Sequence, residues 1–169
     1  MTDPVPLTDE ELAHARRSVE LAAEALEGGD EPFGSVLVGA DGTVLAEDHN
    51  RETTLADQTR HPEFELARWA AAQLTAEARA AATVYTSGEH CPMCAAAHGW
   101  VGLGRIVYAS SAAQTAAWLA ELGAGPAPVA VLPISEVAPG VPTVGPIPGL
   151  AEEVRELHRR FRTKRAGTV

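Results

Sequence analysis

Lysine is almost missing from this chain of 169 residues: Lys164 is the only one, and arginine carries the rest of the positive charge. The 13 Lys+Arg face 23 Asp+Glu, a formal net charge of −10. That balance argues against a broad footprint on nucleic acid or on an anionic membrane. Cysteine is scarce too. Cys91 and Cys94 are the whole supply, and two thiols three positions apart are not a secreted disulfide framework. No stretch approaches the ~20 apolar residues of a membrane span. Met1 to Arg17 carries Asp3, Asp9, Glu10 and Glu11 and no apolar central run, so a signal peptide is not expected and cytoplasmic residence is. What remains is ample for a core. Hydrophobic residues make up 46%, and a chain this long buries about 70% of its unfolded surface. One domain over 1–169 is expected.

Local signals divide the chain into alternating helices and strands. Thr8-Asp9-Glu10-Glu11 reads as a capping box, and Gly28-Gly29 as the end of the helix it opens. Pro32 to Gly39 reads as a strand buried on both faces, and Asp41-Gly42 as a two-residue hairpin turn into Thr43–Glu47. Asp48 to Arg60 reads as a polar loop. A second helix is expected from His61 to Thr75, with Phe64, Ala67, Ala71 and Leu74 as its apolar stripe. Strands are expected at 83–87, 105–109 and 129–132, and helices at 91–101, 111–122 and 150–164. The segment 124–149 is rich in proline but nearly uncharged, which suits an ordered apolar connection better than a linker. This order implies an α/β fold, a three-layer α/β/α sandwich on a mixed five-stranded sheet.

The chemistry concentrates in two short motifs. Cys91-Pro92-Met93-Cys94 opens a helix, so both thiols share a face and the helix N-terminus favours their thiolate forms. Two thiolates are too few to close a structural zinc site, which takes four protein ligands. The candidates for a further ligand are His49, His61, His90 and His98. His98 is disfavoured, because seven residues of helix rise about 10 Å. His61 stands in His61-Pro62-Glu63 at the start of its own helix, where positions i and i+2 can converge around the helix end. One imidazole and two thiolates would leave a zinc ion a position for water, and a carboxylate outside the ligand set, such as Glu63, could move protons. His-x-Glu followed by Cys-x-x-Cys is the spacing expected of zinc nucleobase deaminases.

With these motifs in place, the chain resembles the cytidine-deaminase-like superfamily, and most closely its guanine deaminase and tRNA adenosine deaminase branch. The matching segments are Pro32 to Val38, His49-Asn50-Arg51, His61-Pro62-Glu63, Val84 to Cys94 and Arg105 to Ala109. The resemblance implies that His61, Cys91 and Cys94 bind Zn2+ and that Glu63 shuttles protons. It implies that Asn50 meets a polar edge of the base, that Phe33 and Gly34 help wall the pocket, and that His90 borders it. The implied reaction is hydrolytic deamination of a nucleobase-like ring such as guanine, isoguanine, a cytosine analogue or an aminotriazine, by a homodimer. Two positions depart from the family pattern, Pro62 for Ala and His90 for Pro. Between Ser110 and Leu132 the only acid is Glu121, where guanine deaminases are expected to carry one that assists the chemistry.

Three rival readings accompany this one. A tRNA adenosine deaminase would use the basic cluster Arg159, Arg160, Arg162, Lys164 and Arg165 to grip RNA, although the helix dipole explains the same cluster. A thioredoxin-like redox pair would use the two cysteines and leave His61-Pro62-Glu63 unexplained. A non-catalytic zinc module would need a fourth protein ligand, such as His90. Trp69, Trp100 and Trp118 read as core or subunit-interface residues, with Trp100 alternatively leaning on the pocket.

Overall fold

The computed structural model describes residues 6–167; Met1 to Val5, part of the stretch weighed above as a signal peptide, and the last two residues lie outside them. The first helix, α1 (Asp9–Gly28), begins with the expected capping box. Thr8 Oγ1 accepts the Glu11 N–H, and a Glu11 carboxylate oxygen accepts the Thr8 N–H. Gly29 ends it at φ 92, a left-handed conformation that glycine takes without strain.

Five strands follow: β1 (Gly34–Val38), β2 (Val44–His49), β3 (Thr83–Gly88), β4 (Arg105–Ser110) and β5 (Thr143–Val144). Their spatial order is β2-β1-β3-β4-β5. β1 is antiparallel to both β2 and β3, whereas β3, β4 and β5 run parallel, so the sheet is mixed as expected. Side chains alternate across it. Val36, Val38, Tyr85 and Val107 pack with α1 and the last helix, α8 (Leu150–Ala166). Leu37 and Val84 point the other way, against Leu66, Ala67 and Ala70 of α3 (Pro62–Gln73) and Ala97 and Val101 of α5 (Pro92–Val101). Helices therefore cover both faces, and the three-layer sandwich is the observed architecture.

Several local expectations need correction. The hairpin turn has three residues rather than two. The Gly42 N–H donates to Gly39 O and the Gly39 N–H to Thr43 O, with Gly42 at φ 82 and Asp41 Oδ1 accepting the Thr43 N–H. The polar loop contains a single turn of helix, α2 (Glu52–Leu55), and a separate short helix, α4 (Ala76–Ala81), follows α3. The buried stripe of α3 is Pro62, Glu63, Leu66, Ala67 and Ala70, not the one centred on Phe64 and Ala71. Val129–Leu132 is not a strand. The fifth strand is Thr143–Val144, drawn from the proline-rich segment to pair with Ile106 and Val107. Trp100 is 90% exposed, so it does not lean on a pocket. α6 (Ala112–Glu121), capped by Ser111, and the one-turn helix α7 (Ile134–Val137) flank the coil 124–133. No helix among the described residues is long and apolar enough to cross a membrane.

Candidate metal centre

α3 and α5 start side by side, each with proline in its first turn where the missing N–H costs no hydrogen bond. His61 and Cys91 are the N-cap residues, and Cys94 lies one turn into α5. This brings together side chains from two distant parts of the sequence. Cys91 Sγ and Cys94 Sγ are 3.5 Å apart, and His61 Nδ1 is 3.6 Å from each. Tetrahedral zinc, with Zn–S near 2.3 Å and Zn–N near 2.05 Å, spaces two sulfurs by about 3.8 Å and a sulfur and nitrogen by about 3.6 Å. The triangle already has the dimensions of a zinc site, and its borderline-soft N/S donors suit that ion.

Electrostatics follow from the crowding. The hydrogen bond shared with Cys94 holds the Cys91 thiol down to about 4 against the opposing effect of burial, and the His61 ring helps. Burial works against a charged imidazole, but the Cys91 sulfur and the Glu52 carboxylate outweigh it and push His61 up to about 11. The Cys94 thiol is raised by its neighbour Cys91 and by burial. With Cys91 a thiolate, His61 an imidazolium and Cys94 a thiol, the set sheds two protons to become a metal-ready imidazole and two thiolates.

Glu63 sits behind the triangle, 5% exposed, on the inward face of α3. Its Oε2 lies 3.8 Å from Cys94 Sγ, and its Oε1 accepts the Thr86 hydroxyl at 2.9 Å. Burial lifts its pKa above the usual carboxylate range. A buried carboxyl of this kind keeps its proton to higher pH than a solvated one.

Other expected site residues separate by position. Phe33 lines a cavity of about 180 Å³ together with His61, Glu63 and Cys91. Gly34 does not. A Cβ there would fall 2.4 Å from Ser18 O and 2.6 Å from Ala22 N, so this glycine lets α1 close onto β1. Asn50 is also absent from the cavity wall. Its amide is committed to Glu52, Nδ2 donating to Oε2 at 2.6 Å and Oδ1 accepting the Glu52 N–H at 3.0 Å. His90 is 1% exposed and sits edge-on to His98, 5.2 Å between ring centres, rather than on the wall. His98 lies outside the metal triangle, its Nε2 donating to Gly104 O at 2.7 Å.

Two acids were missed. Glu52 places Oε1 3.6 Å from His61 Nε2, on the ring edge away from the sulfurs. Glu89 accepts the Ala112 N–H at 2.8 Å and the Ile134 N–H at 3.0 Å, pinning both α6 and α7 beside the cavity. Asn50 two residues before Glu52 was a turn signal that could have drawn attention to the first; nothing local marks the second.

Comparison with known proteins agrees with this geometry. The family model described as the cytidine and deoxycytidylate deaminase zinc-binding region matches residues 8–110. The chain belongs to that family. Among its relatives, the guanine deaminase of Bacillus subtilis strain 168 is 40% identical over 96 residues, which are 56% of this chain and 61% of the relative. The tRNA-specific adenosine deaminase of Agrobacterium fabrum is 38% identical over 101 residues, 57% of this chain and 66% of the relative. The chain thus spans less than two thirds of the length of either curated relative. The solved guanine deaminase of Bacillus subtilis superposes at TM-score 0.55 with 31% identity, over 75% of this chain and 83% of that one. A Nitrosomonas europaea guanine deaminase shares the fold at TM-score 0.68 and 21% identity, over 96% of this chain and 89% of that one.

Proposed function

We propose that the chain, taken as one domain over 1–169, is a zinc-dependent hydrolytic deaminase of a free, uncharged nucleobase-like ring. Water and the amino-heterocycle would become the oxo-heterocycle and ammonia. The observation that carries the reading is the His61–Cys91–Cys94 triangle with buried Glu63 beside it, opening into a cavity with no Lys or Arg on its described wall. A phosphorylated substrate would need a cation there.

His61 Nδ1 and the sulfurs of Cys91 and Cys94 would hold the ion. When bound, zinc supplies a Lewis acid that makes water acidic enough to lose a proton near neutral pH. Glu63 Oε2 would carry two protons in turn, the first from water to the ring nitrogen beside the attacked carbon and the second from the new C–OH to the departing amine, which leaves as ammonia, its Oε1 held by Thr86 meanwhile. Phe33 and Pro92 wall the ring in and exclude bulk water. Asn50 acts through Glu52, and Glu52 through the His61 ring.

The tRNA reading is supported by relatives such as the Agrobacterium deaminase, but the charge layout favours the free ring. Arg155 pairs with Glu121, Arg159 with Glu156, Arg160 and Lys164 with Glu27, and Arg162 with Glu31. The basic end of α8 is therefore largely neutralised by acids of its own surface. Free thiols at Cys91 and Cys94 suit a reducing, cytoplasmic setting. Exposed Trp100 suits a homodimer contact.

The test is zinc content together with ammonia release from guanine, isoguanine, adenine, cytosine, 5-azacytosine and aminotriazines, beside inosine formation in tRNA. Stoichiometric zinc and turnover of a free ring are expected. A metal-free dithiol, or activity confined to tRNA, would overturn the proposal.

A further inference from the structure

The cavity over the metal triangle has two unlike halves. Near the triangle it is polar, with His61, Glu63 and Cys91. Away from it the wall is hydrocarbon: Ala112, Ala116, Leu119, Val129, Val131 and Leu132. The remaining polar side chains on the wall already have partners. Both Glu89 oxygens accept backbone N–H groups, and Thr115 Oγ1 lies 3.4 Å from Ser110 Oγ. The Glu89 bonds also fix the wall, because they tie it at Ala112 where α6 begins and at Ile134 just past the 127–132 strip.

A ring that presents its amine-bearing carbon to the triangle must turn its opposite edge to this wall. A hydroxylated or charged group there would give up hydrogen bonds to water and meet no side-chain replacement. A hydrocarbon group would instead leave water for aliphatic surface. At about 180 Å³ the space is below the roughly 300–1,000 Å³ of ordinary ligand pockets, which limits the occupant to a small ring and a few carbons.

The geometry points to a preference, resting on the deaminase reading above, for amino-heterocycles that carry a short alkyl group on the edge opposite the reacting carbon, over the same ring bearing hydrogen, a sugar or a phosphate. Nucleosides and nucleotides are then rejected by the wall itself rather than by a missing contact at the zinc.

The experiment is kcat/KM for ammonia release along two matched series with the zinc-loaded protein: cytosine, 1-methylcytosine, 1-ethylcytosine and cytidine, then guanine, 9-methylguanine, 9-ethylguanine and guanosine. Each buried carbon should raise kcat/KM roughly fourfold, so that ethyl exceeds hydrogen by about tenfold or more, and each nucleoside should fall below its parent base. Leu119→Ser and Val131→Thr should shrink the ethyl-to-hydrogen ratio. That ratio is taken within one preparation, so partial misfolding of a variant cancels out. Turnover with a flat or falling series, or nucleosides preferred to bases, overturns this inference and leaves the deaminase reading standing. No ammonia from any ring, with zinc bound, overturns both.

Discussion

The Glu52 carboxylate lies 3.6 Å from His61 Nε2, while the opposite ring nitrogen, Nδ1, is 3.6 Å from both thiol sulfurs. The carboxylate thereby fixes which nitrogen is free to bind metal and how the ring is turned. It is itself fixed from both sides. Asn50 holds its second oxygen, and buried Asp30 holds α2 by accepting the Thr53 and Thr54 N–H groups at 2.7 and 2.9 Å.

Glu52→Gln keeps the shape and removes the charge. Partners that orient a metal-binding histidine are typically worth 10–100-fold in metal affinity. Zinc competition against a chelator should show a loss in that range for Glu52→Gln, with Asn50→Ala following in the same direction. An unchanged zinc dissociation constant would show that Glu52 does not position His61.

Gly34→Ala should destabilise the fold without touching the metal ligands. The new Cβ would meet Ser18 O and Leu21 Cβ at 2.4 and 2.5 Å, one of them backbone that cannot swing aside. Overpacking of this kind costs about 1–3 kcal/mol. Denaturant titration should show it as a lower midpoint at unchanged slope; an unshifted midpoint would mean that α1 does not press on β1 as closely as described.

His158 makes stability depend on pH. It packs edge-on to Phe33, and burial, helped by the nearby Arg162 charge, holds it down to about 4. Unfolded, it titrates near 6.5. Between those values the unfolded chain binds the extra proton, so folding stability is full above pH ~6.5 and falls as pH drops towards 4. The difference corresponds to about 3 kcal/mol. Buried His90 and His98 act in the same direction, so the informative comparison is wild type against His158→Gln. The variant should have a shallower slope of unfolding free energy over this window, and parallel slopes would contradict the assignment.

The His61–Cys91–Cys94 triangle was legible in the sequence because its members stand at or within one turn of a helix start, and helix starts carry local marks: Pro62 and Pro92 at the first position, thiols one turn apart. Glu52 was not legible, because its approach to His61 is set by Asp30, more than twenty residues away in sequence. The stripe of α3 was misjudged for a related reason. Phe64 is the more apolar residue, yet the helix is turned so that Glu63 faces inward, against Thr86 and Cys94. The fifth strand was misplaced because Val129 to Leu132 has strand-like side chains, whereas the choice of partner for β4 is a long-range matter. Those side chains serve the cavity wall, and Thr143–Val144 pairs in their stead.

The most direct test of the account compares wild type with Glu63→Gln in one experiment that reads both zinc stoichiometry and ammonia release from the best free ring. Glu63 is outside the ligand triangle and is assigned the proton transfers, which contribute about 10²–10⁴-fold. The account predicts one zinc per chain in both proteins and turnover lower by at least about a hundredfold in the variant. Turnover retained at the wild-type rate with zinc bound would contradict it.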